Sequence, residues 1–398
     1  MKTINILTTQ FFPDNSSAAD RINVLVDVLS MSEDYKVNVI FLTEQGKDVD
    51  LKSLKKRFGG HTNIDFYPVK TRKYNTSRFL TRFMGEFFYS ILLNKKNRKI
   101  SADLSLVTVP FLMLLPVTGW YKLFTKRFFL LDVRDITWNS ISDKKGNIFH
   151  FISWMFEKIC LASARKFDQI VTTTESQKLY FENNQVKVPL KAIYNGVSNA
   201  RHNELTNLNL NKSKYKHKFV VSYLGRIGYP QNLSILVECA ALLSDYNDIL
   251  FLIAGKGTDS KKIESLIEAR KLENVEFLGE LSWEGVKDLY AESDVLYAQI
   301  KDTPPLRQAL PVKTLEYAST GLPVIFGGAG ESARILENFE NCYLIEPDNP
   351  EILRDQLLAL YNNDNRHISE NDKNKIKAEF LREKILEQYI GLLDSILK

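Results

Sequence analysis

Pro311-Val312-Lys313-Thr314-Leu315-Glu316-Tyr317-Ala318-Ser319-Thr320-Gly321-Leu322-Pro323-Val324 reads as a short helix with an apolar strand directly behind it. The preceding loop, 301 to 310, holds Pro304, Pro305 and Arg307, so the helix is expected to begin near Pro311, a residue suited to a first turn. Lys313 and Glu316 are three apart and share one helical face. Open backbone amides at the helix start attract phosphate, Lys313 adds a positive charge, and Glu316 one turn along can accept two ribose hydroxyls. That combination fits a nucleotide-sugar site. Taken alone, the segment fits equally well an amphipathic helix whose Lys and Glu face water.

Outward from this helix the same alternation recurs. Strand-like runs fall at 4–9, 37–42, 64–69, 104–109, 128–133 and 169–173, with helical patterns between them. A polar stretch, 199–218, contains five Asn and reads as an interdomain linker. A second series follows at 219–224, 249–254, 275–278, 295–297, 324–326 and 343–345. Continuous apolar strands alternating with helices imply parallel sheets covered on both faces. The expected fold is therefore α/β, with two doubly wound Rossmann-like domains and a ligand cleft between them at the carboxyl ends of the strands. Residues 1–198 form the expected amino-terminal, acceptor-binding domain and 199–372 the carboxyl-terminal, donor-binding one. A last helical run, 373–398, is long enough to cross back onto the first.

The 398 residues are 44% apolar and 25% charged, ordinary for globular protein and sufficient for two cores. Cys160, Cys239 and Cys342 show no paired spacing, which argues against a zinc site or a disulfide framework and fits a reducing cytoplasm. The amino terminus reads as a first buried strand, with no secretory signal apparent.

Charge is unevenly divided: residues 1–200 carry 29 Lys and Arg against 18 Asp and Glu. Much of the excess lies between Lys70 and Lys99, where nine basic residues, among them Arg78, Arg82, Lys95 and Lys96, meet the single acid Glu86. Apolar residues at three-and-four spacing run between the charges, as in a basic amphipathic helix. Such a helix can cover its own domain's core or lie on an anionic membrane surface. Nucleic acid is the least favoured partner, since no stacking motif or nucleic-acid module accompanies it. Residues 104–121 pass without a charge, but Pro110, Pro116 and Gly119 interrupt them, so a strand followed by an apolar surface segment is expected rather than a membrane span.

Three strand ends in the second half lead into loops suited to phosphate: Gly225-Arg226-Ile227-Gly228-Tyr229-Pro230-Gln231-Asn232, Gly255-Lys256-Gly257 and Gly327-Gly328-Ala329-Gly330-Glu331. Singly each reads as a turn. Together with Lys313 and Glu316 they point to one crevice.

With Tyr-Asn-Gly-Val (194–197), Leu-Gly-Arg (224–226), Ala-Gly-Lys-Gly (254–257), Phe-Leu-Gly (277–279), the stretch 311–324 and Gly-Gly-Ala-Gly-Glu (327–331), the chain resembles the GT-B retaining glycosyltransferases of family 4. Within them, Gly-Arg-Ile-Gly-Tyr-Pro-Gln-Asn-Leu and Pro-Val-Lys-Thr-Leu-Glu-Tyr are most similar to the bacterial branch of O-antigen and capsule N-acetylfucosaminyltransferases. The resemblance implies a nucleoside-diphosphate sugar donor and retention at the anomeric carbon. It makes Glu316 the ribose-binding second glutamate of an E-x7-E pair, with Gln308 standing where the first belongs. It makes Arg226 the diphosphate-binding arginine, with Gln231 in place of a lysine. In the first half Arg134 stands where many members have histidine, beside the retained Asp135.

The chemistry follows from charge. Cleaving a glycosyl–phosphate bond places negative charge on the diphosphate, which Arg226, Lys313 and the helix start would stabilise. Without a carboxylate at Gln308, same-face attack is preferred, the departing phosphate taking the acceptor proton and Asp135 orienting the acceptor. No cofactor beyond the nucleotide-sugar substrate, expected to be a UDP-sugar, and no metal is demanded; Asp48-Val49-Asp50 reads as a solvated loop. The five histidines lack metal spacing. Ser16 and Ser17 either face the acceptor at the first helix start or simply cap that helix.

The expected activity is transfer of an acetamidodeoxyhexose to a lipid-linked (polyprenyl diphosphate) glycan acceptor in bacterial surface polysaccharide synthesis, at the inner face of the cell membrane. A soluble transferase with a small acceptor is the alternative enzyme, and a nucleotide-sugar-binding scaffold the alternative class, given Gln231, Gln308 and Arg134. A dinucleotide dehydrogenase is disfavoured because no G-x-G-x-x-G follows the first strand.

Overall fold

The computed structural model describes residues 1–12, 17–44, 49–72, 79–109, 111–136, 138, 147–363 and 367–397. The chain divides into two compact units, residues 1–195 together with 382–398, and residues 196–381.

The first unit runs β1 (Lys2–Thr8), α1 (Ser17–Ser30), β2 (Tyr35–Glu44), α2 (Leu51–Arg57), β3 (Ile64–Thr71), α3 (Phe79–Lys99), β4 (Leu104–Val109), α4 (Leu114–Lys122), β5 (Phe128–Val133), α5 (Asn147–Ala164), β6 (Gln169–Thr172), α6 (Glu175–Asn183) and β7 (Leu190–Ala192). Its seven strands pair in parallel in the order β3-β2-β1-β4-β5-β6-β7. Strand β7 is missing from the sequence reading, because Lys187-Val-Pro-Leu-Lys-Ala is too short and too charged to stand out as a strand. β4 and most of β1 are buried on both faces, and their interrupting polar residues Asn5 and Ser105 both donate to Asn97 Oδ1 of α3, at 2.8 and 3.1 Å. One face is covered by α1 and α2, whose Ile22, Leu25, Val26 and Leu54 enter a core with Ile4, Ile6 and Val37. The other is covered by α3, α4 and α5 over Leu7, Val107 and Leu131.

The second unit runs α7 (Asn199–Thr206), β8 (Phe219–Leu224), α8 (Ser234–Leu242), β9 (Ile249–Ala254), α9 (Ser260–Arg270), β10 (Val275–Gly279), α10 (Trp283–Glu292), β11 (Val295–Gln299), α11 (Val312–Thr320), β12 (Val324–Gly327), α12 (Glu331–Leu336), β13 (Cys342–Ile345), α13 (Pro350–Asn362) and α14 (Glu370–Glu379). Its six parallel strands take the order β10-β9-β8-β11-β12-β13.

Three sequence-based expectations need correction. The polar stretch 199–218 is no bare linker, since its first eight residues form α7, capped by Ser198 accepting the Arg201 N–H and anchored by the buried His202 and Leu205. The final helical run is two helices, α14 and α15 (Arg382–Leu397), broken at Phe380 and Leu381, where Val197 donates its N–H to the Phe380 carbonyl. The break decides which unit each half serves: α14 stays with the second, and α15 lies with the first, where Leu386 and Tyr389 are fully buried. The unit boundaries accordingly fall at 195/196 and 381/382, not at 198/199 and 372/373. Residues 104–121 resolve into β4 and most of α4, and among the described residues no helix is long and apolar enough to cross a membrane.

The first unit is tied together by one buried cation. The Arg21 guanidinium, wholly buried on α1, donates to the carbonyls of Ile193 at 3.0 Å and Tyr194 at 2.9 Å and to Asn195 Oδ1 at 3.0 Å. It also meets Asp132 Oδ1 at 3.2 Å, and that same oxygen accepts the Tyr389 hydroxyl from α15. One side chain thus joins α1, β5, α15 and the 193–195 segment after β7. Because losing one partner of a buried ion pair strands the other charge, Arg21→Met is expected to cost about 3–5 kcal/mol. Urea titration checks this, and adding Asp132→Leu to Arg21→Met should recover part of the loss.

Candidate functional site

At the carboxyl end of β8 the chain turns through Gly225, whose φ is 134°. Its N–H donates to the Ala254 carbonyl at 3.0 Å, and the Gly255 N–H to the Gly279 carbonyl at 2.7 Å, lacing the ends of β8, β9 and β10 together. Gly255 has φ 142°, and a Cβ there would lie 1.8 Å from the Gly225 carbonyl oxygen, so the close approach admits no side chain. Gly257 lies beside Ile227 in the same way.

Helix α11 is pinned to this edge from below. The Tyr317 hydroxyl accepts the Leu224 N–H at 2.9 Å and donates to the Leu224 carbonyl at 2.8 Å. Pro311 caps the helix in extended conformation, as its sequence position implies. One turn in, Lys313 Nζ donates to the Tyr223 hydroxyl at 2.7 Å and stands 4.1 Å from that ring's centroid. The Tyr223 hydroxyl in turn donates to the Arg226 carbonyl. A Cβ on Gly225 would sit 3.2 Å from Lys313 Nζ, so the ammonium is pressed against the β8 turn itself. Burial pushes the Lys313 ammonium down to about 7, with Glu316 pulling weakly the other way.

Glu316, half-buried on the same face, has Arg201 Nε 3.7 Å from its carboxylate. The Arg201 guanidinium lies 3.4 Å from the Trp283 ring centroid, and α7 packs on α11 through His202 and Ser319, 3.2 Å apart. Arg201 is the residue that sequence reading missed. Its visible signal was the capping Ser198 just upstream, masked by the polarity of the stretch.

The other residues expected from the sequence to bind donor sit around this edge. Arg226 is exposed, Gly228 opens a turn whose carbonyl accepts the Gln231 N–H at 3.0 Å, and Lys301 N–H donates to the Pro230 carbonyl at 2.8 Å. Gln308 closes a short 3-10 turn and its Nε2 donates to the Pro304 carbonyl at 3.4 Å, while Arg307 pairs with Asp302. Gly330, with φ 74°, lets the loop after β12 rest on this turn, since a Cβ would lie 2.2 Å from the Arg307 carbonyl oxygen. Glu331 is buried and ion-paired to Arg334 at 2.8 Å. A larger surface depression lined by Lys218, Asn247, Arg270 and Asn274 lies at the opposite, amino-terminal edge of the sheet, away from where strand-end ligands seat.

In the first unit Arg134 and Asp135 follow β5. Arg134 is buried, its carbonyl accepting from Thr173 Oγ1 at 2.8 Å and Gln177 Nε2 at 3.0 Å, and burial with the nearby Arg21 pushes its guanidinium down to about 10. The Asp135 side chain reaches solvent, yet surrounding protein raises its proton affinity, an effect that Arg134 opposes. Ser16, Arg78 and Asp48 lie outside the described residues, as does the side chain of Ser17. Asp50 caps α2 by accepting the Lys52 N–H at 2.9 Å. Arg82 is ion-paired at 2.8 Å to the buried Glu86, whose other oxygen accepts the Leu112 N–H, and Lys96 lies 5.2 Å from the Tyr67 ring centroid. Lys95 is exposed.

Residues 208–377 match the family described as Glycosyl transferases group 1. The chain is 26% identical over 253 residues to the poly(ribitol-phosphate) alpha-N-acetylglucosaminyltransferase of Staphylococcus aureus (strain COL), covering 60% of this chain and 46% of that protein. It is 24% identical over 188 residues to the 2-deoxystreptamine N-acetyl-D-glucosaminyltransferase of Niallia circulans, covering 46% and 47% respectively. The chain thus spans about half the length of these curated relatives. Among solved structures it is similar to Anabaena HepE in complex with UDP, with a TM-score of 0.70 at 16% identity, over 99% of this chain and 100% of that one. The fold is accordingly GT-B, with two parallel-sheet Rossmann-like domains.

The low proton affinity of Lys313 has a consequence for stability. The folded chain releases this proton near pH 7, whereas an unfolded chain holds it to about the ordinary lysine value of 10.5, so unfolding takes up a proton in between and stability rises with pH there. The difference in unfolding free energy between wild type and Lys313→Met is therefore expected to grow in favour of wild type from pH 7 to pH 9, measured by urea titration at several pH values.

Proposed function

We propose that this protein is a retaining glycosyltransferase that moves an acetamidodeoxyhexose from a UDP-sugar to a lipid-linked glycan acceptor at a membrane surface. The observation that carries the reading is the Lys313 ammonium, lodged against the Gly225 turn one helical turn from Glu316. A cation of lowered proton affinity in the first turn of α11, where backbone amides have no intrahelical acceptor, is poised to gain an anionic partner. Two relatives named N-acetylglucosaminyltransferases favour an acetamido sugar, and a GT-B neighbour bound to UDP favours uridine. The narrower affinity to the N-acetylfucosaminyltransferase branch rests on the segments at 225–233 and 311–317.

In this reading Glu316 accepts the ribose hydroxyls, with Arg201 stacked on Trp283 setting the direction of its carboxylate. Arg226 and Lys313 neutralise the charge that grows on the diphosphate as the glycosyl bond breaks. Gln308 offers no nucleophilic carboxylate, so the acceptor oxygen attacks the face from which the diphosphate leaves and passes its proton to a departing phosphate oxygen. Asp135 orients the acceptor hydroxyl, and the neighbouring Arg134 bears on its charge.

Binding a diphosphate next to Lys313 restores that group's affinity for a proton. UDP binding at pH 8 is expected to take up close to one proton, seen as a calorimetric heat that changes with the ionisation enthalpy of the buffer; Lys313→Met should bind more weakly with no such dependence. Binding of UDP by the variant with undiminished proton uptake would remove Lys313 from the site. In steady-state transfer, Glu316→Ala is expected to raise the donor KM by about tenfold or more, while Arg226→Ala lowers kcat by about a hundredfold. Binding of the donor with no product from wild type under any acceptor would instead favour the scaffold.

A further inference from the structure

Helix α5 is apolar on both of its faces, which is unusual for a helix at a surface. Its inner face sends Phe156, Cys160 and Leu161 into the core. Its outer face shows Phe151, Trp154, Met155 and Ile159, exposed by 57, 54, 43 and 42%. Their spacing of three and four places them on one stripe. Alongside, Trp120 and Phe124 at the end of α4 are 55 and 63% exposed, with their rings 5.1 Å apart. The two helices pack tightly, since a Cβ on Gly119 of α4 would lie 2.8 Å from Ser163 Cβ of α5. A run of exposed Trp, Phe, Met and Ile of this kind marks an interaction surface rather than scattered apolar residues.

The charges around the stripe identify the partner. Between Phe79 and Arg127 the acids are Glu86 and Asp103 against eight Lys and Arg; of these, Arg82 pairs with the buried Glu86 and Lys122 with Asp168 at 2.6 Å, which leaves the balance basic. Lys158 is exposed on the stripe of α5 itself, and Lys126 is exposed just beyond α4. Glu157, the acid of α5, accepts the Tyr180 hydroxyl at 2.5 Å. Aromatic side chains within a field of one positive sign fit an anionic bilayer interface, where rings settle at headgroup depth and lysines meet phosphate. A second copy set face to face would bring like charges together.

Building on the membrane-surface reading above, we propose that α5, with the end of α4, inserts its exposed aromatic stripe into the interface of an anionic lipid bilayer. This differs from contact through the charges of α3, where Arg82 already serves the buried Glu86. The stripe holds the protein in the interfacial plane without spanning, in keeping with the absence of any spanning helix among the described residues.

The test uses the full chain and vesicles of phosphatidylglycerol and phosphatidylcholine. Wild type is expected to co-sediment with them and to show a blue-shifted emission quenched by brominated lipid, the quenching falling in Trp154→Phe. A Phe151→Ser, Trp154→Ser, Ile159→Ser triple variant should bind at least tenfold more weakly while its circular dichroism and unfolding midpoint stay near wild type, since all three side chains are on the surface. Lys261→Gln, at an exposed lysine of α9 in the second unit, should bind within threefold of wild type. Wild type that ignores vesicles would overturn both the membrane-surface reading and the insertion of α5. Vesicle binding that the triple variant retains would overturn the insertion alone. Donor cleavage is scored separately, so its absence bears only on the transfer chemistry.

Discussion

The position of Lys313 depends on an unfavourable balance that the second unit maintains by packing. Water would hold an ammonium more strongly than this site does, where the Tyr223 hydroxyl accepts from Lys313 Nζ at 2.7 Å. What keeps it there is the double hydrogen bond of Tyr317 to Leu224, which fixes α11 under β8, and the absence of a side chain at Gly225. The strand ends, the glycine turns and the helix start have their geometry because these contacts leave one arrangement. In the function proposed above, an anion arriving at this edge relieves the opposition to the charge.

The first unit solves a different problem with a related device. Its last helix is supplied from the far end of the chain, so α15 must be recognised by residues distant in sequence. The oxygen of Asp132 that meets Arg21 also accepts the Tyr389 hydroxyl, joining α1, β5 and α15 through one carboxylate. Arg21 also holds the Tyr194 carbonyl and Asn195 of the Tyr-Asn-Gly-Val segment, where the chain leaves this unit. Asp132 stands two residues before Arg134 on the same strand end, so the cation network reaches the residues assigned to the acceptor side. Arg134 feels Arg21 directly, and its lowered proton affinity is in part that repulsion.

The outer surface of the first unit shows how one composition can serve two purposes. Apolar residues of α3, α4 and α5 cover a sheet face, yet α5 carries more of them than the core can use. The surplus of α5 lies along one helical stripe with basic neighbours, and α3 adds Met84, Phe87 and Phe88 to the exposed apolar surface of this unit. A surface of that kind is costly in water alone and becomes favourable at an interface that offers both hydrocarbon and negative charge.

Much was legible before any coordinates. Twelve of the strands stood out because buried parallel strands are mainly apolar runs, and glycines marked the turns that follow β8, β9 and β12. The Lys313 and Glu316 pair was visible because helical spacing is local. What could not be read were the partners across distance. That Arg201 lies against Glu316 and Trp283, that the buried Glu86 accepts the Leu112 N–H, and that the final helical run breaks at Phe380 so that α15 joins the first unit are all consequences of packing between segments far apart in the chain. Periodicity determines which elements form and which face is apolar; it carries no distances between elements. Which apolar face finds a core and which, like that of α5, stays at the surface was decided only when the sheet had used the helices that cover it.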